Sequence, residues 1–293
     1  MAGPITRIVD AHIHLWDPAR TDRYPFLSGG EDLGMGDVAP MSRVFDLPTY
    51  VAETGRWNVE KVVHVTATRV DHVEETLELD ALAEATGNPA ALVGAVVSGA
   101  SRADTEAMLD AQSAAPRFRG VRSVRGAQRL HTTDAHFPTR DALQAVAERG
   151  LVYDLMVHPH QAADAAALLD GLDDLTVVVE HTGWPRDDSA EELALWKVGI
   201  ERFASLHGNV HCKLSGLAMP LGTASTEGFG PWIRHAIDVF GVDRCFFASN
   251  FPVDGNHASF DELYSTYDAL TADLDDDARD KLFASNAERV YRC

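Results

Sequence analysis

The sequence predicts a single (β/α)8 barrel, and three observations support this fold class. Short runs rich in Val, Ile and Leu alternate with longer amphipathic segments rich in Ala, Leu and Glu, as in repeated βαβ units. The chain has 293 residues, and such barrels commonly need about 250. No glycine-rich phosphate loop follows the first apolar run, which disfavours an open nucleotide-binding sheet. We therefore expect residues 1–293 to form one domain.

The apolar runs supply eight candidate strands, the number that a closed barrel of this class needs. They lie at 7–14, 61–68, 91–98, 118–124, 151–158, 175–181, 209–216 and 244–250. Periodic segments between them are predicted helices, at 71–86, 139–150, 160–172, 189–206 and 276–289.

Two connections are too long for simple turns. Residues 15–46 follow the first strand and residues 125–138 follow the fourth. Both come after the carboxyl ends of strands, where barrel enzymes place their active sites and lids. We expect these loops to border the site.

Composition narrows the range of partners and compartments. The net charge of −20 disfavours binding to nucleic acid or to an anionic membrane surface. No run approaches the roughly 18 apolar residues of a membrane span, and the first residues lack a secretory pattern. We expect a cytoplasmic protein, whether as a monomer or as a homo-oligomer. The widely spaced Cys212, Cys245 and Cys293 indicate free thiols rather than a disulfide framework.

The first strand carries a candidate metal site in the stretch VDAHIHLWDP. Asp10, His12 and His14 alternate, so a regular strand would point all three side chains to the same face. Where that face is the barrel interior, the two imidazoles reach one divalent cation at the mouth.

Polar residues also occur at the predicted carboxyl ends of later strands, which is the barrel pattern for catalysis. They are His158 after strand 5, His181 after strand 6, Lys213 and Ser215 near the end of strand 7, and Asn250 and Asp254 after strand 8.

Several motifs, in this order along the chain, resemble the amidohydrolase superfamily. They are DAHIHLWDP, FRGVR, EHTGWP, KLSGL, SNFPVD and NAERVYR. The chain is most similar to the branch of small, metal-dependent barrel hydrolases that includes sugar and aromatic lactonases. The resemblance covers nearly the whole sequence and is specific for the family, although not for a substrate.

The resemblance implies roles for individual residues. His12 and His14 match the strand-1 metal pair, and His158 matches a strand-5 histidine ligand of related decarboxylases. Some lactonases of this branch lack that histidine and need no metal. Its presence here favours a divalent cation, for which zinc is the expectation. His181 matches the strand-6 histidine that steers or deprotonates the nucleophilic water.

Asn250 departs from the family pattern, which usually has aspartate at this position on strand 8. An amide orients water or donates a hydrogen bond, but it does not accept a proton at neutral pH. Three solutions stay open. His181 acts as the base, Asp254 folds back through the Phe-Pro turn into the site, or the site has lost hydrolysis.

Two arginines and three other residues are candidates for substrate binding. Arg122 and Arg125 in GVRSVRG lie near the mouth, and guanidinium forks bind carboxylates through two hydrogen bonds. Lys213 supplies a further cation, and Trp16 and Trp184 supply apolar walls.

The expected function is hydrolysis of a lactone or similar cyclic ester of a small carboxylated or polyhydroxylated molecule. His158 keeps a metal-dependent decarboxylase of an aromatic acid as the alternative enzyme. A non-catalytic barrel with a degenerate site is the alternative from another class. No G-x-S-x-G sequence is present, so nothing favours a serine hydrolase.

Overall fold

The strands form one parallel sheet in which spatial order equals chain order, as a (β/α)8 barrel requires. A computed structural model describes residues 3–20, 22–28, 39–67, 69–124 and 137–293. The eight strands are β1 (Ile8–Ile13), β2 (Val59–Val65), β3 (Ala91–Val97), β4 (Phe118–Val124), β5 (Val152–Leu155), β6 (Thr176–Val179), β7 (Val210–Leu214) and β8 (Cys245–Phe247). The predicted fold class is confirmed.

Helices follow the strands and cover the outside of the sheet. They are α1 (Leu47–Thr54), α2 (His72–Thr86), α3 (Arg102–Gln112), α4 (Arg140–Glu148), α5 (Ala162–Leu169), α6 (Ala190–Ala204), α7 (Ala218–Leu221), α8 (Thr226–Phe240), α9 (Phe260–Leu270), α10 (Asp276–Asp280) and α11 (Asn286–Tyr291). A π-helical segment, Lys281–Ser285, joins α10 to α11. Side chains of Ser or Thr cap several helix N-termini, for example Ser189 on the Glu192 amide.

The first strand contains a bulge that overturns one prediction. Asp10 pairs with Val62 and Ile13 with His64, so β1 has one residue more than β2 over this interval. Asp10 therefore turns outward and accepts a hydrogen bond from Tyr50 of α1. The prediction that Asp10 faces the same way as the two histidines is wrong, because strict alternation fails at a bulge.

Residues just beyond β8 close the barrel against β1. The Asn250 amide donates to the His12 carbonyl at 2.9 Å, and the His14 amide donates to the Phe251 carbonyl at 2.8 Å. Ile13 and Phe251 form an isolated parallel bridge. This seam brings the strand-1 histidines next to the FASNFPVD stretch.

The C-terminal residues lie under the amino ends of the strands. Lys61 donates to the Cys293 carbonyl, and Arg292 donates to the Gly150 carbonyl. Tyr291 extends into the interior, where its hydroxyl lies 2.9 Å from both carboxylate oxygens of Asp154. The Lys213 ammonium binds the same carboxylate at 2.6 Å, and neither side chain of this ion pair is exposed.

Several strands end earlier than their sequence runs indicate. His158, His181 and Asn250 follow the last residues of β5, β6 and β8 rather than lying within them. Of the first long loop the structure describes two short 3-10 turns, Pro25–Ser28 and Ala39–Met41. Residues 125–136, most of the second loop, lie outside the described ranges.

Cys212 and Cys245 are buried free thiols, as predicted. Across the ranges that the structure describes, no helix is both long enough and apolar enough to cross a membrane.

We expect Lys213→Met to lower the thermal midpoint of unfolding strongly. The substitution leaves Asp154 as an uncompensated charge inside the barrel, and breaking a buried ion pair in this way costs about 3–5 kcal/mol. The matched control is the double variant K213M/D154L, which removes both charges of this pair and should be more stable than K213M. Thermal unfolding followed by circular dichroism measures both, and a wild-type midpoint for K213M would contradict the expectation.

Candidate functional site

The strand-1 histidines meet inside the mouth of the barrel. Their Nε2 atoms are 3.2 Å apart. His14 Nδ1 lies 2.8 Å from the Val65 carbonyl, and because a carbonyl only accepts, Nδ1 carries the hydrogen. Burial lowers the pKa of both imidazoles well below the usual value, and nearby cations add to the effect. Neutral His14 therefore directs the lone pair of its Nε2 toward His12.

Glu180, which the sequence reasoning missed, completes this cluster. Its Oε1 lies 3.5 Å from His12 Nδ1, and in the part of the chain that is described neither atom has a hydrogen-bond partner. Burial raises the pKa of Glu180, and the Arg122 guanidinium opposes that rise. The signal in the sequence was an acid at the end of an apolar run, directly before His181.

His181 follows β6 in an unusual backbone conformation. His181, Thr182, Gly183 and Trp184 all have positive φ, at 52°, 55°, 73° and 34°. The left-handed conformation costs a residue other than glycine about 1–2 kcal/mol, so neighbouring groups must hold this turn. Thr182 Oγ1 donates to the Ser215 carbonyl at 3.1 Å, and the Trp196 indole donates to the Thr182 carbonyl at 2.5 Å.

The left-handed turn places the His181 ring against His12 and β7. The ring centroids of His181 and His12 are 4.6 Å apart. His181 Nδ1 pairs with Ser215 Oγ at 3.2 Å, which leaves Nε2 for another partner. Gly216 lies under the ring, where a Cβ atom would come within 2.5 Å of the His181 Cβ.

His158 lies beside this cluster. Its Nδ1 is 3.0 Å from the Trp184 carbonyl, and its ring centroid lies 4.8 Å from that of Trp184 and 5.7 Å from that of His160. Trp184 in turn lies 5.6 Å from His181. Trp184 therefore connects the two histidines.

The residues predicted to bind substrate differ in how close they lie to the histidine cluster. Arg122 is buried; it donates to the Thr66 carbonyl and lies 3.5 Å from Glu180. Lys213 lies below the histidines, where it forms a buried ion pair with Asp154. Trp16 stacks on His14 at 6.0 Å and donates to the Met41 carbonyl. Arg125 lies outside the described residues.

Asn250 and Asp254 form a buried pair at the end of β8. The Asn250 side-chain amide donates to Asp254 Oδ1 at 3.2 Å, and Asn250 has a positive φ of 56°. Burial raises the pKa of Asp254 to about 7, against the opposing effect of the Asn250 amide and of backbone N–H groups at 216 and 218. Because Asn250 Nδ2 is the atom that faces Asp254, the Asn250 oxygen is the end of the amide that faces away from it.

The donor set at the mouth fits a divalent cation. Two nitrogen ligands at about 2.0–2.1 Å from a tetrahedral zinc ion lie about 3.3 Å apart, and the two Nε2 atoms are 3.2 Å apart. Without a cation or a shared proton, two lone pairs at this distance would repel. In the described ranges, one nitrogen each of His12 and His181 and one oxygen of Glu180 also lie within 4.8 Å of one another. His158 does not belong to that group.

Comparison with known proteins identifies the family to which this chain belongs. A model of the amidohydrolase family matches residues 9–293, so the chain belongs to this family. The L-fucono-1,5-lactonase of Burkholderia ambifaria is 31% identical, covering 97% of this chain and 95% of its own. An uncharacterized Sinorhizobium fredii protein, y4mH, is 30% identical over 97% of this chain and 98% of its own length.

A solved relative has the same fold. The crystal structure of an amidohydrolase from Burkholderia multivorans with bound zinc has a TM-score of 0.79 at 25% identity, covering 98% of this chain and 99% of that chain. The protein is therefore a hydrolase of the amidohydrolase family and is similar to a lactonase.

We expect Gly216→Ala to reduce activity far more than it reduces stability. The new methyl group would push the His181 ring out of place. Gly222 is the matched control, since it has nearly the same φ, 68° against 70°, and open space where a Cβ would lie. Both variants carry the cost of left-handed alanine, but only G216A should lose turnover. Equal kcat/KM for the two variants would contradict the placement of His181.

The raised pKa of Asp254 predicts a pH dependence of stability. A carboxyl that keeps its proton longer in the folded chain makes the fold less stable as pH rises from about 4 to about 7. Asparagine does not titrate, so the thermal midpoint of Asp254→Asn should rise relative to that of the wild type as pH increases over this interval. A pKa raised from 3.8 to about 7 corresponds to a change of about 4 kcal/mol in the free energy of unfolding. Parallel midpoint-against-pH curves for the two proteins would refute the assignment.

Proposed function

We propose that this protein hydrolyses a lactone of a small polyhydroxylated or carboxylated acid, with the help of a divalent cation at His12 and His14. The observation that carries the proposal is the 3.2 Å approach of two buried, neutral imidazole nitrogens. The lactonase relative, similar over nearly the whole chain, supports the substrate class. The zinc-bound relative supports zinc as the metal.

A divalent cation in this position would polarise the lactone carbonyl and lower the pKa of water from 15.7 to about 7. His12 and His14 would hold it through their Nε2 atoms. Glu180 and His181 form a second possible ligand group with His12, and His14 does not belong to that group. The neutral state of these imidazoles suits ligation, because a protonated ring has no lone pair to offer.

His181 is our candidate for moving the proton of the attacking water. Burial lowers the pKa of His181 well below the usual value, and the positive charges of Arg122 and Lys213 lower it further. The ring is therefore neutral at pH 7, and its Nε2 is the nitrogen that Ser215 does not use. Ser215 fixes its orientation through Nδ1. A ring fixed in this way needs little reorganisation when the proton moves.

Asn250 and Asp254 divide the role that a single strand-8 aspartate has elsewhere in the family. The Asn250 oxygen accepts a hydrogen bond from water or from a substrate hydroxyl. Asp254 accepts from the Asn250 amide through Oδ1, and its Oδ2 lacks a partner among the described residues. We therefore assign proton transfer first to His181 and keep Asp254 as the group that orients the amide.

The test combines metal removal with two histidine variants, read on a panel of lactones with a pH indicator. Dialysis against a chelator should abolish acid release, and zinc should restore it. His12→Asn should lose both metal and turnover, because it removes a ligand. His181→Asn should keep the metal while kcat falls by about 10²–10⁴, the usual contribution of a general base.

His207→Asn serves as the control, since His207 lies just before β7 and neither of its ring nitrogens has a hydrogen-bond partner among the described residues. It should behave as the wild type does. Release of CO2 from an aromatic acid would favour the decarboxylase alternative instead. A protein with neither metal nor turnover would favour the non-catalytic barrel.

A further inference from the structure

We propose that Asp10 is a positioning residue that holds the strand-1 histidines and Asn250 in register across the barrel seam. The inference rests on the proposed role of His12 and His14 as a cation-binding pair. Asp10 itself is fully buried on the outer side of β1, so it acts through the backbone and not through contact with substrate.

One carboxylate joins three separate parts of the chain. Asp10 Oδ1 accepts from the His12 amide at 3.3 Å and from the Ser249 amide at 2.8 Å. Asp10 Oδ2 accepts from the Tyr50 hydroxyl of α1 at 2.7 Å. Strand β1, the segment after β8 and the first helix therefore share a single acceptor group.

These bonds fall where the regular sheet is interrupted. His12 has no register partner in β2, because the bulge separates the Asp10 pairing from that of Ile13. Asp10 supplies an acceptor for the buried His12 amide, and a buried donor left without a partner costs about 1–3 kcal/mol. Asp10 accepts from that amide, while the His12 carbonyl accepts from the Asn250 amide. The His12 backbone is thus held on both sides.

The same carboxylate determines the position of Asn250. Ser249, bound to Asp10, directly precedes Asn250, and the Ser249 hydroxyl accepts from the Phe251 amide at 3.1 Å. A change at Asp10 would therefore move the histidine pair and the strand-8 amide together. The positions of the His12 and His14 rings depend on the acceptor oxygen of Asp10 more than on its negative charge.

The experiment compares four proteins: wild type, Asp10→Ala, Asp10→Asn and Tyr50→Phe. Asparagine keeps an oxygen that accepts from both amides. Tyr50→Phe removes only the bond to Oδ2 and keeps the ring contacts with Phe45 and Phe260. The first readout is the set of ring ¹⁵N shifts of His12 and His14 in zinc-free protein, assigned with the His12→Asn and His14→Asn variants. The second is the Kd for zinc, from competition with a chelator.

For D10A we expect changed ring shifts for both histidines and zinc binding weakened about 10- to 100-fold, the usual effect of losing an outer positioning group. D10N and Y50F should keep the wild-type shifts and zinc affinity, even where their thermal midpoints fall. If D10A does not fold, Asp10→Ser takes its place, because one short hydroxyl does not span both amides.

Two results would overturn the proposal. Wild-type shifts and affinity in D10A, with only a lower midpoint, would show that Asp10 merely stabilises the seam. A loss in D10N as large as that in D10A would show that charge, not acceptor geometry, matters. If the wild type binds no zinc, the proposed cation site fails, and the zinc-free ring shifts still decide the role of Asp10.

Discussion

Between Asp10 and Ile13 the first strand has one residue more than its neighbour, and much of the site depends on that extra residue. It turns Asp10 toward α1 while both histidines enter the barrel. It also leaves the His12 backbone available to the segment after β8, which closes the barrel there instead of through a full β8–β1 ladder. Closure of the fold and assembly of the site are therefore the same set of hydrogen bonds.

The barrel interior is occupied by charges in two layers. Arg122 and Glu180 lie beside the histidines, and Asp154 and Lys213 form an ion pair below them. These groups pair with each other at low dielectric, which makes their burial tolerable. The cations also disfavour protonation of His12, His14 and His181. The imidazoles consequently stay neutral, the state in which they bind a metal or accept a proton.

Backbone strain in the described residues concentrates at the mouth. The non-glycine residues with positive φ are His181, Thr182, Trp184 and Asn250, together with Arg292 at the C-terminus. Such conformations persist when surrounding contacts over-determine them. Here Thr182 and Trp196 hold the turn after β6, and the seam holds Asn250. These conformations place His181 and Asn250 beside His12 and His14, whereas regular strands would continue beyond that position.

The sequence by itself determined the barrel, its strand order and the candidate residues at the strand ends, because hydrophobic periodicity and short motifs are local properties. It also marked Asn250 as a departure from the family. Only the tertiary structure decided that Asp10 faces outward, since a bulge depends on pairing with β2. Glu180 and the Asp154–Lys213 pair likewise depend on partners far apart in the chain, 59 residues in the latter case. Alternation predicts a face, but the neighbouring strands decide which groups meet on it.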